Sequence, residues 1–187
     1  MREDVRMQTG SFSGTNVSNL DTNDLVNHYY RPLYCFALSL TDSEADACDL
    51  TQHTFYTWET KGAQLRDPSK VKTWLFTTLH RAFLQLKRRE VRLTHYELSE
   101  VESELPSVSP KEAEALDAAH VVHALARVDD VFRAPLALFY LQEYRYNEIA
   151  QILNVPLGTV KSRIARGILQ LKGLLGLANQ TQQLQAA

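Results

Sequence analysis

The stretch at residues 146–172, YNEIAQILNVPLGTVKSRIARGILQLK, contains two amphipathic helical patterns separated by a short turn. Apolar residues recur every three or four positions in both patterns, at Ile149, Ile152 and Leu153 and then at Val160, Ile164, Ile168 and Leu171. The intervening residues 154–156 read Asn-Val-Pro, a sequence that ends one helix and lets another begin. The stretch therefore predicts a helix-turn-helix, with helices at about 146–153 and 158–175.

The outer face of the second predicted helix carries the residue types that read DNA. Five polar side chains cluster near its N-terminal half: Thr159, Lys161, Ser162, Arg163 and Arg166. When such a helix enters the major groove, Arg and Lys donate to guanine, and Ser and Thr bond to bases or phosphates. A solvated helix face also carries cations, but the turn and the preceding helical pattern favour DNA binding. We therefore predict that these five residues contact DNA.

Three further helical patterns lie in the first half of the chain, at about 22–40, 43–60 and 71–89. The first has apolar residues at the spacing of one helix face: Leu25, Tyr29, Leu33, Phe36 and Leu40. Ser43 is a candidate N-cap for the second, and Pro68 suits the start of the third. These patterns predict a small helical bundle.

The third of these helices is the second cationic element of the chain. Around it lie Lys70, Lys72, His80, Arg81 and Arg88, interleaved with Trp74 and Phe76. Cations that follow a backbone, with aromatic rings on which bases stack, are typical of single-strand binding. A core role for Trp74 and a capping role for the cations at the helix C-terminus remain open from the pattern alone.

The segment at residues 90–113 separates the two helical blocks. It is rich in Glu and Ser, contains Pro106 and Pro110, and loses helical periodicity in its middle. Because such a composition buries too little apolar surface to fold alone, we predict an acidic linker. The predicted organisation is a flexible N-terminal tail (1–20), a helical domain (21–89), the linker (90–113), a second helical domain (114–177) and a polar C-terminal tail (178–187).

Composition narrows the class of protein. The chain has 187 residues, of which 44% are hydrophobic, and only 7 are glycine, which favours packed helices over a sandwich or barrel. Its net charge of −2 argues mildly against DNA binding, but the total hides an uneven distribution of charge along the chain. No apolar run approaches the roughly 20 residues of a membrane span, and the N-terminus lacks the apolar region of a signal peptide. We expect a cytoplasmic protein without a membrane segment of its own.

The sequence has no pattern typical of catalysis or metal binding. It contains no nucleophile beside a base, no paired acids and no Gly-rich phosphate loop. His120 and His123 lie three positions apart, but no third metal ligand is suggested nearby. Cys35 and Cys48 are expected to be buried thiols in a reducing compartment. We predict that the chain is not an enzyme and uses neither a cofactor nor a metal.

Three segments, in this order, resemble the extracytoplasmic-function (ECF) sigma factors of bacterial RNA polymerase. Asp46–Glu59, DACDLTQHTFYTWE, resembles the segment that grips the polymerase core. Val71–Arg89, VKTWLFTTLHRAFLQLKRR, resembles the segment that engages the promoter −10 region, and Tyr146–Lys172 resembles the helix-turn-helix that reads −35. The last segment is shared with other regulators, but the ordered combination is specific to sigma factors and covers residues 21–175.

The resemblance implies an all-α protein of two small helical domains, a region 2 bundle and a region 4 helix-turn-helix, joined by the acidic linker. Its partners would be the two largest subunits of core RNA polymerase, promoter DNA and an anti-sigma factor. Core docking would use Asp49, Leu50, Gln52 and Phe55. The melted −10 strand would be held by Lys70, Lys72, Trp74, Phe76, Thr77, His80, Arg81 and Arg88, and the −35 element by the five residues of the second helix-turn-helix helix.

The sequence departs from the family pattern at three positions in the first domain. His53 stands where an acid is usual, Arg81 where Asn is common, and Gln85 where Asp is common. Two other functions remain open from the residues: a stand-alone dimeric regulator that uses only the helix-turn-helix, and a sigma-like interaction module without promoter activity. The regulator would bind palindromic DNA without polymerase, and the module would bind core without transcription.

Overall fold

The computed structural model describes residues 22–94 and 122–174, and every regular element within these ranges is helical. The α-helices are α1 (Thr22–Thr41), α2 (Glu44–Lys61), α3 (Val71–Thr94), α4 (Asp130–Tyr140), α5 (Tyr146–Leu153) and α6 (Leu157–Leu174). Residues 122–126 are helical as well. The predicted all-α class with two helical parts is confirmed.

Helices α1 to α3 pack on one another and form the first half of the molecule. The five apolar residues predicted for the inner face of α1 are all buried. Ser43 caps α2 as expected, since its hydroxyl accepts a hydrogen bond of 3.3 Å from the backbone N–H of Asp46. The link from α1 to α2 is tight because Asp42 adopts a left-handed backbone conformation, with φ of 55°.

The connection from α2 to α3 consists of two short 3-10 turns, Gly62–Gln64 and Pro68–Lys70. Gly62 lies directly against the Trp58 ring, and a Cβ atom at this position would be only 2.6 Å from it. The Trp58 ring in turn meets the Trp74 ring edge-on, with centroids 5.3 Å apart. This packing fixes the connection beside the N-terminal half of α3.

The second half of the molecule is built on α4, α5 and α6. Asn154 ends α5 in the left-handed conformation, and the N–H of Val155 returns to the carbonyl of Ala150 at 3.1 Å. Helix α6 then crosses α4 closely at Gly167, where a Cβ atom would be 2.7 Å from Leu136. The turn and this close approach fix the direction of α6, and the predicted helix-turn-helix is confirmed.

The two halves pack directly against each other. Helix α4 contacts α1, and α5 contacts α3. A chain of aromatic rings crosses the junction, because Phe76 of α3 lies 5.4 Å from Phe36 of α1 and 5.6 Å from Tyr144, just before α5. The buried residues of both halves therefore form one continuous hydrophobic core.

Two local predictions need correction. Helix α3 continues to Thr94, five residues past the predicted end at Arg89, because the sequence EVRLT contains neither Gly nor Pro to stop it. Cys35 and Cys48 are free thiols as expected, but both are only partly buried. Other predictions lie outside the described residues. They concern the two tails, residues 95–121 of the linker and second domain, which include His120, and residues 175–177.

Candidate nucleic-acid interface

Helix α6 presents a cationic face to solvent. Val160 and Ile164 are buried against the rest of the second half, which turns the opposite side of the helix outward. Lys161, Ser162 and Arg166 are exposed on that side. These three residues lie near the N-terminal half of the second helix of a helix-turn-helix, the part that enters a major groove.

The other two predicted −35 residues are less accessible. Thr159 is half-buried, and its carbonyl accepts a 3.0 Å hydrogen bond from the Ser162 hydroxyl. Arg163 is also half-buried and lies close enough to His80 of α3 to lower the pKa of that histidine. The structure thus brings all five residues onto one helix, with Arg163 directed partly toward the first half of the molecule.

Helix α3 has two functional flanks, and one of them borders an open cleft of about 730 Å³. We call this side, formed by Trp74, Thr78, Arg81, Ala82 and Gln85, the cleft flank. The opposite wall comes from α2 and the first 3-10 turn and is formed by His53, Tyr56, Thr57, Thr60, Lys61, Gln64 and Leu65.

The cleft has the chemistry expected of a site for an unpaired nucleotide. Trp74 is partly exposed and offers an aromatic surface, and Tyr56 opposite it is 65% exposed. Arg81 and Lys61 supply positive charge at the same cleft. Aromatic rings beside cations in an open cleft are the elements of sequence-tolerant single-strand binding.

The other side of α3, which we call the covered flank, carries Lys72, Phe76 and His80 and faces the second half of the molecule. Phe76 has no exposed surface, so it cannot stack on a base in this arrangement. Its predicted role as a stacking platform is therefore corrected to a core role between Phe36 and Tyr144.

His80 also differs from its prediction as a DNA-binding cation. Its side chain is buried, and burial together with the positive charges of Arg163 and Arg81 lowers its pKa to about 4. The imidazole is neutral near neutral pH and contributes no charge to the surface. A lone histidine in an amphipathic pattern gives no signal that separates these two roles.

Lys72 is the third residue of the covered flank. Its Nζ atom donates a 3.1 Å hydrogen bond to the carbonyl of Gln142 and lies 4.6 Å from the centroid of the Tyr144 ring. Burial lowers the pKa of Lys72, and the nearby carboxylates of Glu148 and Glu143 partly offset that effect. Lys72 is therefore engaged within the protein.

The remaining predicted −10 residues are spread along the helix. Lys70 is exposed at the end of the connection before α3, and Arg88 is exposed more than four turns further on. Thr77 is half-buried, and its hydroxyl donates to the carbonyl of Thr73 at 2.8 Å. The eight predicted residues consequently do not form a single surface.

The predicted core-docking residues of α2 also divide into exposed and buried side chains. Asp49 and Gln52 are exposed and available to a partner. Leu50 and Phe55 are buried in the hydrophobic core, so their predicted role as direct contacts is corrected to a supporting one. The correction has a simple cause, since residues 49 and 50 lie about 100° apart around a helix.

Sequence reasoning missed the wall of the cleft that α2 provides. His53, Thr57 and Thr60 follow one another at helical spacing on the side of α2 that faces the cleft, and Gln64 of the first 3-10 turn continues this polar stripe. The residue types of this polar stripe do not distinguish it from an ordinary solvated helix face. Two of the three departures from the family pattern, Arg81 and Gln85, lie across the cleft from the third, His53.

Residues 22–94 and 122–174 contain no group of three or more His, Cys, Asp or Glu side chains placed to hold a metal ion. None of the helices in these ranges is long and apolar enough to cross a membrane.

Comparison with known protein families matches both halves of the chain. Residues 25–93 match the family model for Sigma-70 region 2, and residues 121–171 match the model for Sigma-70, region 4. The chain belongs to the sigma-70 family. It is a sigma factor of the ECF group, and its function is to direct RNA polymerase to promoters.

Named relatives agree with this assignment. The ECF RNA polymerase sigma factor SigE of Mycolicibacterium smegmatis is 32% identical over 157 residues, which are 82% of this chain and 61% of SigE. The RNA polymerase sigma factor YlaC of Bacillus subtilis is 29% identical over 153 residues, which are 80% of this chain and 88% of YlaC.

A solved structure gives the same result for the fold. The sigma factor RpoE of Bartonella quintana, in complex with the anti-sigma factor NepR, matches with a TM-score of 0.70 and 27% identity. The match covers 84% of this sigma factor and 99% of the RpoE chain. Both the region 2 half and the region 4 half are included in a match of this extent.

Proposed function

We propose that this sigma factor divides promoter recognition between two surfaces, the exposed face of α6 and the cleft flank of α3. The observation that carries the proposal is that each cationic helix exposes a positive face, and that the face of α3 borders a cleft with aromatic walls. The first surface suits duplex DNA at −35, and the second suits the melted strand at −10.

At −10 we assign direct contacts to the exposed or cleft-lining residues of the original prediction. Lys70, Arg81 and Arg88 would bind phosphates or bases, and Trp74 would stack on an unpaired base, with Thr77 beside them. Lys72, Phe76 and His80 would support α3 without contacting DNA, because they face the second half of the molecule. Arg81 and Gln85 would give the cleft a base preference of its own.

At −35 we assign base reading to Ser162 and Arg166, which are exposed, and to Arg163 once it is freed from the first half. The exposed Lys161 would bind a phosphate. Thr159 would hold a phosphate near the start of the helix, where backbone N–H groups favour anions. Each side chain that reaches a base edge should contribute about 1–3 kcal/mol of discrimination.

Core RNA polymerase would bind α2 through Asp49 and Gln52, while Leu50 and Phe55 would fix the helix by packing in the hydrophobic core. The second half would sit on the other large subunit, and the acidic linker would connect the two along the polymerase surface. We also propose regulation by an anti-sigma factor, since the similar RpoE was crystallised with one. The chain would act in the cytoplasm, without catalytic activity of its own.

In-vitro transcription tests the proposal. Purified core polymerase would be incubated with and without the chain on a fragmented genomic library, and transcript starts would be mapped. We expect new transcripts that share a −35 and −10 pattern, weakened with Lys161→Ala although core affinity is kept, and weakened with Asp49→Ala because core affinity falls. Core binding without new transcripts would instead indicate the interaction module, and sequence-specific DNA binding without core would indicate the stand-alone regulator.

A further inference from the structure

The two walls of the cleft differ in their hydrogen-bonding character. The α3 wall includes Arg81, whose guanidinium presents a planar fork of N–H donors and no acceptor. The side chain of Arg81 is exposed, and within residues 22–94 and 122–174 it forms no ion pair with a carboxylate. Its donors are therefore available to a molecule that enters the cleft.

The α2 wall offers hydrogen-bond acceptors. The Thr57 hydroxyl donates its proton to the carbonyl of His53 at 2.8 Å. The Thr60 hydroxyl donates to the carbonyls of Thr57 and Tyr56, at 3.1 and 3.3 Å. Because each hydroxyl has a single proton, both oxygens keep lone pairs for a ligand but have no proton left to donate. This wall therefore accepts hydrogen bonds, whereas the guanidinium of the opposite wall donates them.

The charge of the cleft favours bases that carry acceptor atoms. None of the described residues that line it is Asp or Glu, whereas Lys61 and Arg81 add positive charge. The amides of Gln64 and Gln85 can donate or accept. An exocyclic amino group placed beside Arg81 would meet another donor and no carboxylate, so a base that turns such a group toward this arginine is disfavoured.

The stacking surface of the cleft is held in place by packing. Trp74 is half-buried, lines the cleft, and meets the buried Trp58 ring edge-on with centroids 5.3 Å apart. Gly62 lies directly against the other ring, Trp58, so the pair has little room to move. Because Arg81 and Thr57 belong to different walls, a base stacked on Trp74 would turn different edges toward them.

We propose that the cleft selects guanine at one unpaired position of the −10 strand. Arg81 would donate to O6 and N7 of the base, and Thr57 and Thr60 would accept from its N1–H and its amino group. The inference rests on the proposed function, because it assumes that the cleft holds the melted strand.

Guanine fits the two walls better than the other bases do. It has two adjacent acceptors on one edge and N–H donors on the neighbouring edge, and both edges are accessible in an unpaired strand. Cytosine also has adjacent acceptors, O2 and N3, but only one donor group and a smaller ring, so it should rank second. Thymine has no two adjacent acceptors, and the amino group of adenine lies between its acceptors N1 and N7, so adenine should bind most weakly.

The affinity of the holoenzyme for single-stranded oligonucleotides tests the proposal. The −10 sequence mapped by in-vitro transcription would be changed to each of the four bases at every unpaired position, and binding would be measured by fluorescence anisotropy. We expect one position at which guanine binds roughly 5- to 100-fold more tightly than adenine. A holoenzyme that transcribes from its promoters but prefers guanine at no unpaired position would overturn the proposal.

Modified bases at that position test the individual contacts. 7-Deazaguanine replaces the N7 acceptor by C–H, so the unmodified chain should bind it about tenfold more weakly than guanine, and Arg81→Ala should bind the two equally. Hypoxanthine lacks the amino group and should bind several-fold more weakly than guanine, a loss that should vanish in the double variant Thr57→Val, Thr60→Val. Equal binding of guanine and 7-deazaguanine by the unmodified chain would overturn the Arg81 contact, and a hypoxanthine loss retained in the double variant would overturn the contact with the α2 wall.

Two further variants separate base reading from charge. Arg81→Lys keeps the positive charge but lacks the planar fork, so it should lose most of the guanine preference and keep the affinity for adenine-containing strands. Arg88→Ala removes an exposed charge of α3 that does not line the cleft, so it should weaken binding of all four bases similarly and keep the preference.

Arg81→Ala should combine both effects, with weaker binding of every oligonucleotide and no guanine preference. A preference that survives in Arg81→Ala, or that disappears in Arg88→Ala, would contradict the assignment to Arg81. These failures are separable from failure of the proposed function, because that function fails only if the unmodified chain with core makes no promoter-specific transcripts.

Discussion

The two flanks of α3 carry similar residue types and have different surroundings. The cleft flank places Trp74 and Arg81 beside an open cleft, whereas the covered flank places Phe76 and His80 against the second half. An aromatic ring and a basic residue on the same helix thus serve binding on one side and packing on the other. The comparison shows that composition identifies a cationic helix, while the neighbouring elements decide which of its residues are available to DNA.

The largest expected difference between the flanks is in stability. Phe76→Ala removes a fully buried ring between Phe36 and Tyr144, so we expect the free energy of unfolding to fall by about 3–5 kcal/mol. Leu84→Ala, at a partly exposed position of the same helix, should cost less than about 1 kcal/mol. Urea unfolding followed by circular dichroism would compare the two, and equal losses would show that Phe76 is not in the core.

His80 should make the stability depend on pH in a predictable direction. Its pKa is about 4 in the folded chain and about 6.5 when unfolded, so the unfolded state binds the proton first as the pH falls. Its contribution to stability should therefore be present above about pH 6.5, fall by about 2 kcal/mol by about pH 5, and stop changing below about pH 4.

The control for this pH effect is a variant that cannot titrate at the same position. His80→Leu should unfold with a flatter pH dependence than the unmodified chain over the same range, measured by urea unfolding at several pH values. Arg163→Ala should raise the pKa of His80, which NMR titration of the imidazole would detect, because one of its two positive neighbours is removed. Parallel pH curves for His80→Leu and the unmodified chain would contradict the buried position of this residue.

On the cleft flank the expected effects are on binding. Trp74→Ala should weaken the affinity of the holoenzyme for a single-stranded −10 oligonucleotide by about 1–3 kcal/mol, the usual contribution of one stacked base. Arg81→Ala should weaken it as well and reduce the salt dependence. Fluorescence anisotropy with a labelled oligonucleotide would measure both, and unchanged affinities would place the melted strand elsewhere.

The smallest effect is expected at −35. Because Lys161 is assigned to a phosphate, Lys161→Ala should lower the slope of log affinity against log salt by about one unit, similarly for all sequences. Arg166→Ala should instead relax the preference at one base pair if its guanidinium reads that base. Competition binding with single-base variants of the promoter distinguishes the two behaviours, and a sequence-dependent loss for Lys161→Ala would reverse the assignment.

Much of the fold was predictable because the signals are local. The inward residues of α1, the Ser43 cap and the turn at Asn154 follow from helical spacing and from capping chemistry that involve only near neighbours in sequence. The extension of α3 to Thr94 was missed because composition suggested a linker where the helix had no residue to end it.

The candidate site was less predictable, because contacts between residues far apart in the sequence decide which of its side chains are exposed and which are buried. Lys72 and Gln142 are 70 positions apart, and nothing in the sequence around Lys72 indicates that its ammonium is bound within the protein. Leu50 and Phe55 likewise lie in a segment that resembles a docking segment, yet their side chains are buried and cannot contact a partner. Sequence resemblance assigned the helices correctly, and packing decided which side chains each helix exposes.

The central claim is that the cleft flank of α3 holds the melted strand. Permanganate reactivity of unpaired thymines at −10, measured with saturating core polymerase, tests this claim most directly. We predict that Arg81→Ala reduces the reactivity at least several-fold and that Gln151→Ala, at an exposed position of α5, leaves it at the unmodified level. Unchanged reactivity with Arg81→Ala would contradict the account.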